Sequence, residues 1–154
     1  MSTVIDKDLG WNKITDNLKK LDGAGIKVGL FGSGSSPANN VAHRGLVHEM
    51  GYTEGGIPSR PFMSSAYDKN LRKNAKMIAK WMSDMIIGRI SIKKFLDRIG
   101  VLYKGNIQNS INFGIWTPNK IATIIAKGSS APLIDEGTML GAVKYKLIWT
   151  GLGV

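Results

Sequence analysis

The side chains with chemistry to offer are few. Two histidines, His43 and His48, stand five apart, and four carboxylates, Glu49, Glu54, Asp135 and Glu136, lie beside the glycine- and proline-punctuated stretches. On a helix five residues turn about 500°, which leaves the two rings some 140° apart, whereas the zinc-binding H-E-x-x-H pattern needs a spacing of four. No third histidine exists to complete a metal site. A carboxylate pair in a cleft could serve as general acid and base, or hold Mg²⁺ in a small nuclease, but nothing in the spacing selects that role. Asp135 and Glu136 directly precede "GTML" and read more simply as caps of a turn or helix N-terminus. The glycine run "GLFGSGSS" follows an apolar stretch as a phosphate cradle would, yet after Gly32 and Gly34 come Ser35, Ser36 and Pro37, so neither the P-loop nor the dinucleotide pattern closes. With no cysteine, a thiolate nucleophile, a thiolate ligand and a disulfide framework are all excluded. The expectation is a protein without catalysis, metal or cofactor.

The most constrained stretch is "GYTEGGIPSRPFM", residues 51–63. Pro58 and Pro61 each fix φ and push the residue before them toward extended geometry, so Ser59 and Arg60 occupy a stiff segment. Arg60 then has little freedom to lose on pairing. Two roles are open to it: an internal pair with a carboxylate of its own domain, Glu49 or Asp135, with Phe62 plugging the core, or a contact with a neighbouring subunit.

The elements that must position this turn can be read from periodicity. "LGWNKITDNLKKLDG" spaces Leu9, Ile14, Leu18 and Leu21 as an amphipathic N-terminal helix within residues 1–24, stopped at Asp22-Gly23. A short apolar run from Ile26 to Phe31, bounded by glycines, predicts a strand. Residues 33–40 are too small and polar to order themselves and read as a flexible loop containing Ser33, Gly34, Ser35 and Ser36. "NVAHRGLVHEMG" predicts a helix capped by Asn39 or Asn40, with Val41, Leu46, Val47 and Met50 on its inner face. A long helix follows, with Leu71, Ala75, Ile78, Met82 and Met85 as its packing stripe and Lys69, Arg72, Lys73, Lys76 and Lys80 outside. A second long helix begins after Ser91 and runs through Ile92, Phe95, Leu96, Ile99, Leu102, Tyr103 and Ile107, with Gly100 and Gly105 marking close approach or a bend. "KIATIIAKG" and "AVKYKLIW" predict two strands with a turn or short helix at "EGTMLG" between them. The fold class is therefore α+β: a small, mostly antiparallel sheet packed against two long helices, in one domain of 154 residues.

Charge bounds the partners. The chain carries 21 Lys and Arg against 11 Asp and Glu, and between Arg60 and Lys104 eleven basic residues face three acidic ones. Such a field suits nucleic acid, an acidic protein surface or plain solubility. The polar start and the lack of any apolar run near 18 residues predict a soluble protein made in the cytosol, with no membrane partner.

Three blocks of the sequence, taken in order, carry a family likeness. "VAHRGLVHEMGYTEGGIPSRPFM", then two helices, then "TPNKIATIIAKGSSAPLIDEGTMLGAVKYKL" resembles the tailed-bacteriophage virion morphogenesis proteins, the tail-completion or neck family that includes the Mu G-like proteins. The likeness spans residues 38–148. Glu49 and Gly51 match that family's helix end, Ile57, Pro58, Arg60, Pro61 and Phe62 its turn, and Lys127, Pro132, Leu133, Ile134, Gly137 and Met139 its later motif. Glu136 departs from the threonine more usual there. The resemblance implies a structural virion protein at the head-tail junction, a homo-oligomeric ring, expected as a hexamer, that docks between connector and tail proteins. In that setting Arg60, Phe62, Glu49, Asp135 and the arm Ser33, Gly34, Ser35 and Ser36 are the interaction residues, with weak contact to DNA along the basic surface. A tail terminator and a basic DNA-associated protein are the alternatives.

Overall fold

A computed structural model describes residues 10–32, 40–134 and 137–149. Helix α1 (Trp11–Leu21) leads into strand β1 (Ala24–Leu30), helix α2 (Val41–Met50) and the long helices α3 (Phe62–Ile86) and α4 (Ile92–Phe113). Short helices α5 (Ile121–Lys127) and α6 (Thr138–Gly141) precede strand β2 (Val143–Trp149). The strands pair antiparallel, from Ala24 opposite Trp149 to Leu30 opposite Val143. α4 packs against both strands and α3 packs on α4, which gives the expected α+β class.

Two apolar clusters hold these layers together. Phe62, Ala66, Ile107, Ile111, Leu133, Met139 and Val143 pack around Val41, and Met85, Phe95 and Leu96 form a second centre with Ile26, Ile78, Trp81 and Leu147. Burying each large side chain contributes about 1.5–3 kcal/mol, so these two centres dominate the stability of the domain.

Helix ends follow the capping rules. Asn40 accepts from the Ala42 and His43 amides at 3.0 and 3.3 Å and starts α2, and Ser91 accepts from Lys94 N at 3.2 Å to start α4. At the far end of α3, Asn17 of α1 donates its side-chain amide to the carbonyls of Met85 and Ile86 at 3.2 and 3.1 Å. Met85 O also accepts from Gly88 N at 2.9 Å, so Asn17 adds a second donor there and supplies one to Ile86 O, which both caps α3 and docks α1.

The structure corrects three expectations. "KIATIIAKG" is a helix, not a strand: Ile124 N donates to Lys120 O, and Gly128 closes the turn at φ 66° with its amide on Ile124 O. A helix satisfies its own backbone, whereas a third strand needs a free sheet edge, and the sheet of the described residues has two strands. The buried line of α3 runs through Phe62, Ala66, Asn74 and Met85, leaving Leu71, Ala75 and Met82 exposed on its flank. Asn74 is the reason, because a buried amide, bonded by Asn106 Nδ2 at 3.3 Å, sits where apolar periodicity places none. In α2, Leu46 and Met50 face solvent, while Gly45 is buried where any Cβ would collide with Leu30. Gly100 fulfils its expectation of close approach, since the Tyr145 ring occupies the space a Cβ would need, whereas Gly105 has open space.

Candidate functional site

The stiff turn of residues 51–61 is tied at both ends. Gly51 leaves α2 at φ 80°, a conformation that L side chains rarely adopt, and a Cβ there would meet the Ser59 backbone. Tyr52 and Ile57 then exchange backbone bonds of 2.8 and 2.9 Å, which folds the intervening residues into a small loop. On the return, Ser59 Oγ donates to Glu49 O at 2.8 Å and Arg60 N donates to His48 O at 2.6 Å. The turn is thereby stitched to the last turn of α2.

Glu49 serves the next helix. Its carboxylate accepts from Met63 N and Ser64 N, both at 2.9 Å, and from Ser64 Oγ at 2.6 Å. Pro61 occupies the cap position of α3 and offers no side-chain acceptor, so Glu49 supplies the cap from α2, with its negative charge at the positive end of the helix dipole. Phe62, with no exposed surface, fills the core as expected.

Arg60 is 3% exposed and reaches across to the segment between α4 and α5. Its Nε donates to Thr117 O at 2.9 Å, Nη2 to Pro118 O at 3.3 Å and to Asn119 Oδ1 at 3.0 Å, and Nη1 lies 3.3 Å from His48 Nδ1. Because a guanidinium only donates, His48 Nδ1 is the acceptor and the ring's hydrogen sits on Nε2. The expected pairing of Arg60 with Glu49 is therefore corrected: every described group that holds Arg60 is neutral, and Glu49 is engaged elsewhere. Asp135 lies outside the described residues, as do Ser33, Gly34, Ser35 and Ser36.

Two further ties complete the frame. Asn119 Nδ2 donates to Ala131 O at 3.4 Å, and Lys127 Nζ donates to Ala131 O at 3.0 Å and Ile134 O at 2.6 Å. The 48–62 turn, the 117–119 segment and the 131–134 stretch are thus one hydrogen-bonded unit. His48 and Asn119 are the site residues that sequence reasoning missed, and Lys127 stood in the later motif without an assigned contact. His48 read as one residue of a polar helix face, and the carbonyls that receive Arg60 and Lys127 belong to the backbone, which carries no residue-type signal.

Beside this frame opens a cleft of about 580 Å³ lined by His48, Arg60, Ile57, Pro58, Pro118 and Lys120 among others. A smaller cavity of about 160 Å³ shares His48, Asn119 and Thr123 and adds Arg44 and Lys127. The field here is positive. Burial first, and then the charges of Arg60, Lys127 and Arg44, hold the His48 pKa below its ordinary value of 6.5. Burial also lowers the pKa of Arg60, though a guanidinium stays charged across the physiological range. What this arrangement offers chemically is positioning and charge; among the described residues, none of the lining threonines is hydrogen-bonded to the His48 ring.

No protein-family model, no curated protein and no solved structure matches the chain. Among the described residues, no helix is long and apolar enough to cross a membrane.

Proposed function

We propose that this chain is a structural subunit of a tailed-phage virion, a neck or tail-completion protein that joins head to tail by ring oligomerisation and docking, without catalysis. The observation that carries the reading is the apolar surface after α4. Phe113 is 79% exposed, Ile115 98%, Ile121 77% and Ile125 76%, and Ile121 and Ile125 lie one helical turn apart on α5. Single exposed apolar residues are ordinary, but four within thirteen positions, next to a turn that four hydrogen bonds keep rigid, suit a surface that is covered in an assembly. Rigidity matters for a ring, because heterologous contacts close only when every copy repeats one rotation. The motifs behind the family resemblance also converge here, since the turn and the later block are tied through Arg60, Asn119 and Lys127.

Light scattering across concentration, with and without tail tubes or connector-bearing capsids, tests the proposal. A ring, or a monomer that assembles only on those particles, is the expected result. A monomer indifferent to both overturns it.

The basic side of α3 favours a second reading, weak association with DNA. Lys69, Lys73, Lys76 and Lys80 fall within about 60° of one another around the helix and extend along about 16 Å of it. Among the described residues the ion pairs are Arg89–Asp84 and Lys93–Asp97, so this ridge is left uncompensated. Retention of duplex DNA that falls steeply with added salt is the outcome that distinguishes this reading.

A further inference from the structure

Arg60 is a buried cation with four of its five N–H donors engaged and no carboxylate partner among the described residues. Two backbone carbonyls, one side-chain amide and one imidazole accept from it, and none carries a negative charge. Dipoles can solvate a guanidinium, but they leave its positive field in the cleft wall, and buried charges are ordinarily paired. Lys120 lines the same cleft, and Arg44 and Lys127 line the smaller cavity beside it. Lys120 reaches over Gly56, and neither Lys120 nor Arg44 has a side-chain partner among the described residues. Lys127 is bonded to two carbonyls, again with no carboxylate among the described residues. No described residue lining either cavity is acidic.

The floor of the larger cleft is different in kind. Ile57, Pro58 and Pro118 make it apolar, Gly55 and Gly56 leave it without bulky side chains, and Thr53, Thr117 and Thr123 place hydroxyls around it. An apolar concavity with Arg60 and Lys120 in its lining fits an extended peptide whose carboxylate stands beside small apolar residues. A phosphate backbone is better served by the convex lysine ridge of α3, where cations repeat along a line with no apolar floor. A second copy has few carboxylates to bring to this cleft, 11 Asp and Glu against 21 Lys and Arg, so an acidic segment of a different protein is the better occupant.

We propose that this cleft docks an acidic segment of a different protein, with an aspartate or glutamate carboxylate received between His48 Nε2 and Lys120 Nζ. The proposal rests on the junction reading for the identity of its partner, which becomes an acidic neighbour in the assembly, but its chemistry can be tested without that assembly. The cleft then accounts for the neutral groups that hold Arg60 among the described residues: the incoming carboxylate brings negative charge to that wall.

The test uses the full chain and a fluorescein-labelled peptide, Gly-Asp-Leu-Glu-Gly-Asp-Leu-Glu-Gly, beside a counterpart with Asn and Gln in place of Asp and Glu. Fluorescence anisotropy reads affinity, and the ring signals of His48 in ¹H–¹³C spectra read location. The acidic peptide is expected to bind and to move the His48 signals, while the carboxamide peptide does neither. Lys120→Glu, on an exposed side chain, is expected to weaken binding at least tenfold, whereas Lys69→Glu on the distant ridge changes it less than threefold. Equal losses in the two variants reduce the effect to net charge and overturn the proposal. So do equal binding of both peptides, displacement by equimolar inorganic phosphate, or blockage by self-association. Peptide binding without assembly on particles retains the cleft and removes the junction reading; assembly without peptide binding does the reverse.

Discussion

At the scale of single residues, the stiff arginine does more than its position between two prolines announces. Pro58 and Pro61 make Arg60 legible in the sequence as a preorganised cation, but its acceptors are carbonyls and an amide 57 to 59 positions later, which no residue pattern encodes. Its fork geometry is what the site uses, so Arg60→Lys is expected to cost about 2–4 kcal/mol, because an ammonium cannot bridge His48, Thr117 and Asn119 together. Urea denaturation checks this, and a loss below about 0.5 kcal/mol counts against the clamp. His48 supplies a pH signature. Its folded pKa lies below the unfolded value of 6.5, so the unfolded chain takes up the proton first as pH falls. Stability contributed by neutral His48 is therefore complete above pH 6.5 and declines through the window between 6.5 and the lower folded pKa. Urea midpoints at pH 7.5 and 5.5 are expected to differ more for the natural chain than for His48→Gln, and equal differences sink the assignment.

Among the elements, the long helices were readable from their period and the short segments were not. α3 announces itself by apolar spacing, yet its inner face is rotated from the expected line because Asn74 is buried and Leu71 is not. Hydrophobicity alone cannot assign an amide to the interior. The run "IATIIAK" is equally ambiguous: six of its seven residues are β-branched or small, a composition that fits a short strand as well as a short helix. Two glycines of α4 give a sharper test of what was legible. Gly100 lies under the Tyr145 ring, whose hydroxyl donates to Asp97 Oδ1 at 3.3 Å, while a Cβ on Gly105 meets nothing. Gly100→Ala is expected to destabilise by about 1–3 kcal/mol through overpacking. Gly105→Ala, in the same helix, is expected to stabilise by up to about 1 kcal/mol. Thermal melts that move in the same direction for both contradict this packing.

For the whole molecule, the division is between a framework tied together within one chain and an exposed apolar surface around α5. The α+β class and the two long helices follow from patterning, but the apolar surface around α5 could not be read from sequence, because the segment was expected to lie in a sheet. Ile121→Asp combined with Ile125→Asp separates the two properties. Both side chains are exposed, so the melting temperature of the isolated chain is expected to stay nearly constant, with a change within about 0.5 kcal/mol, while ring formation or docking on particles is lost. Unaltered assembly removes α5 from the interface. The sheet has a further consequence, in time rather than in space. β1 lies near one end of the described chain and β2 near the other, and each is the other's strand partner. During synthesis the α3–α4 hairpin can form while β1 still waits for β2 to leave the ribosome, and closing so long a loop is the slow, entropically costly step. Until it closes, the side of α4 that receives the strands stands uncovered, so the nascent chain is most prone to associate wrongly just before its last strand arrives.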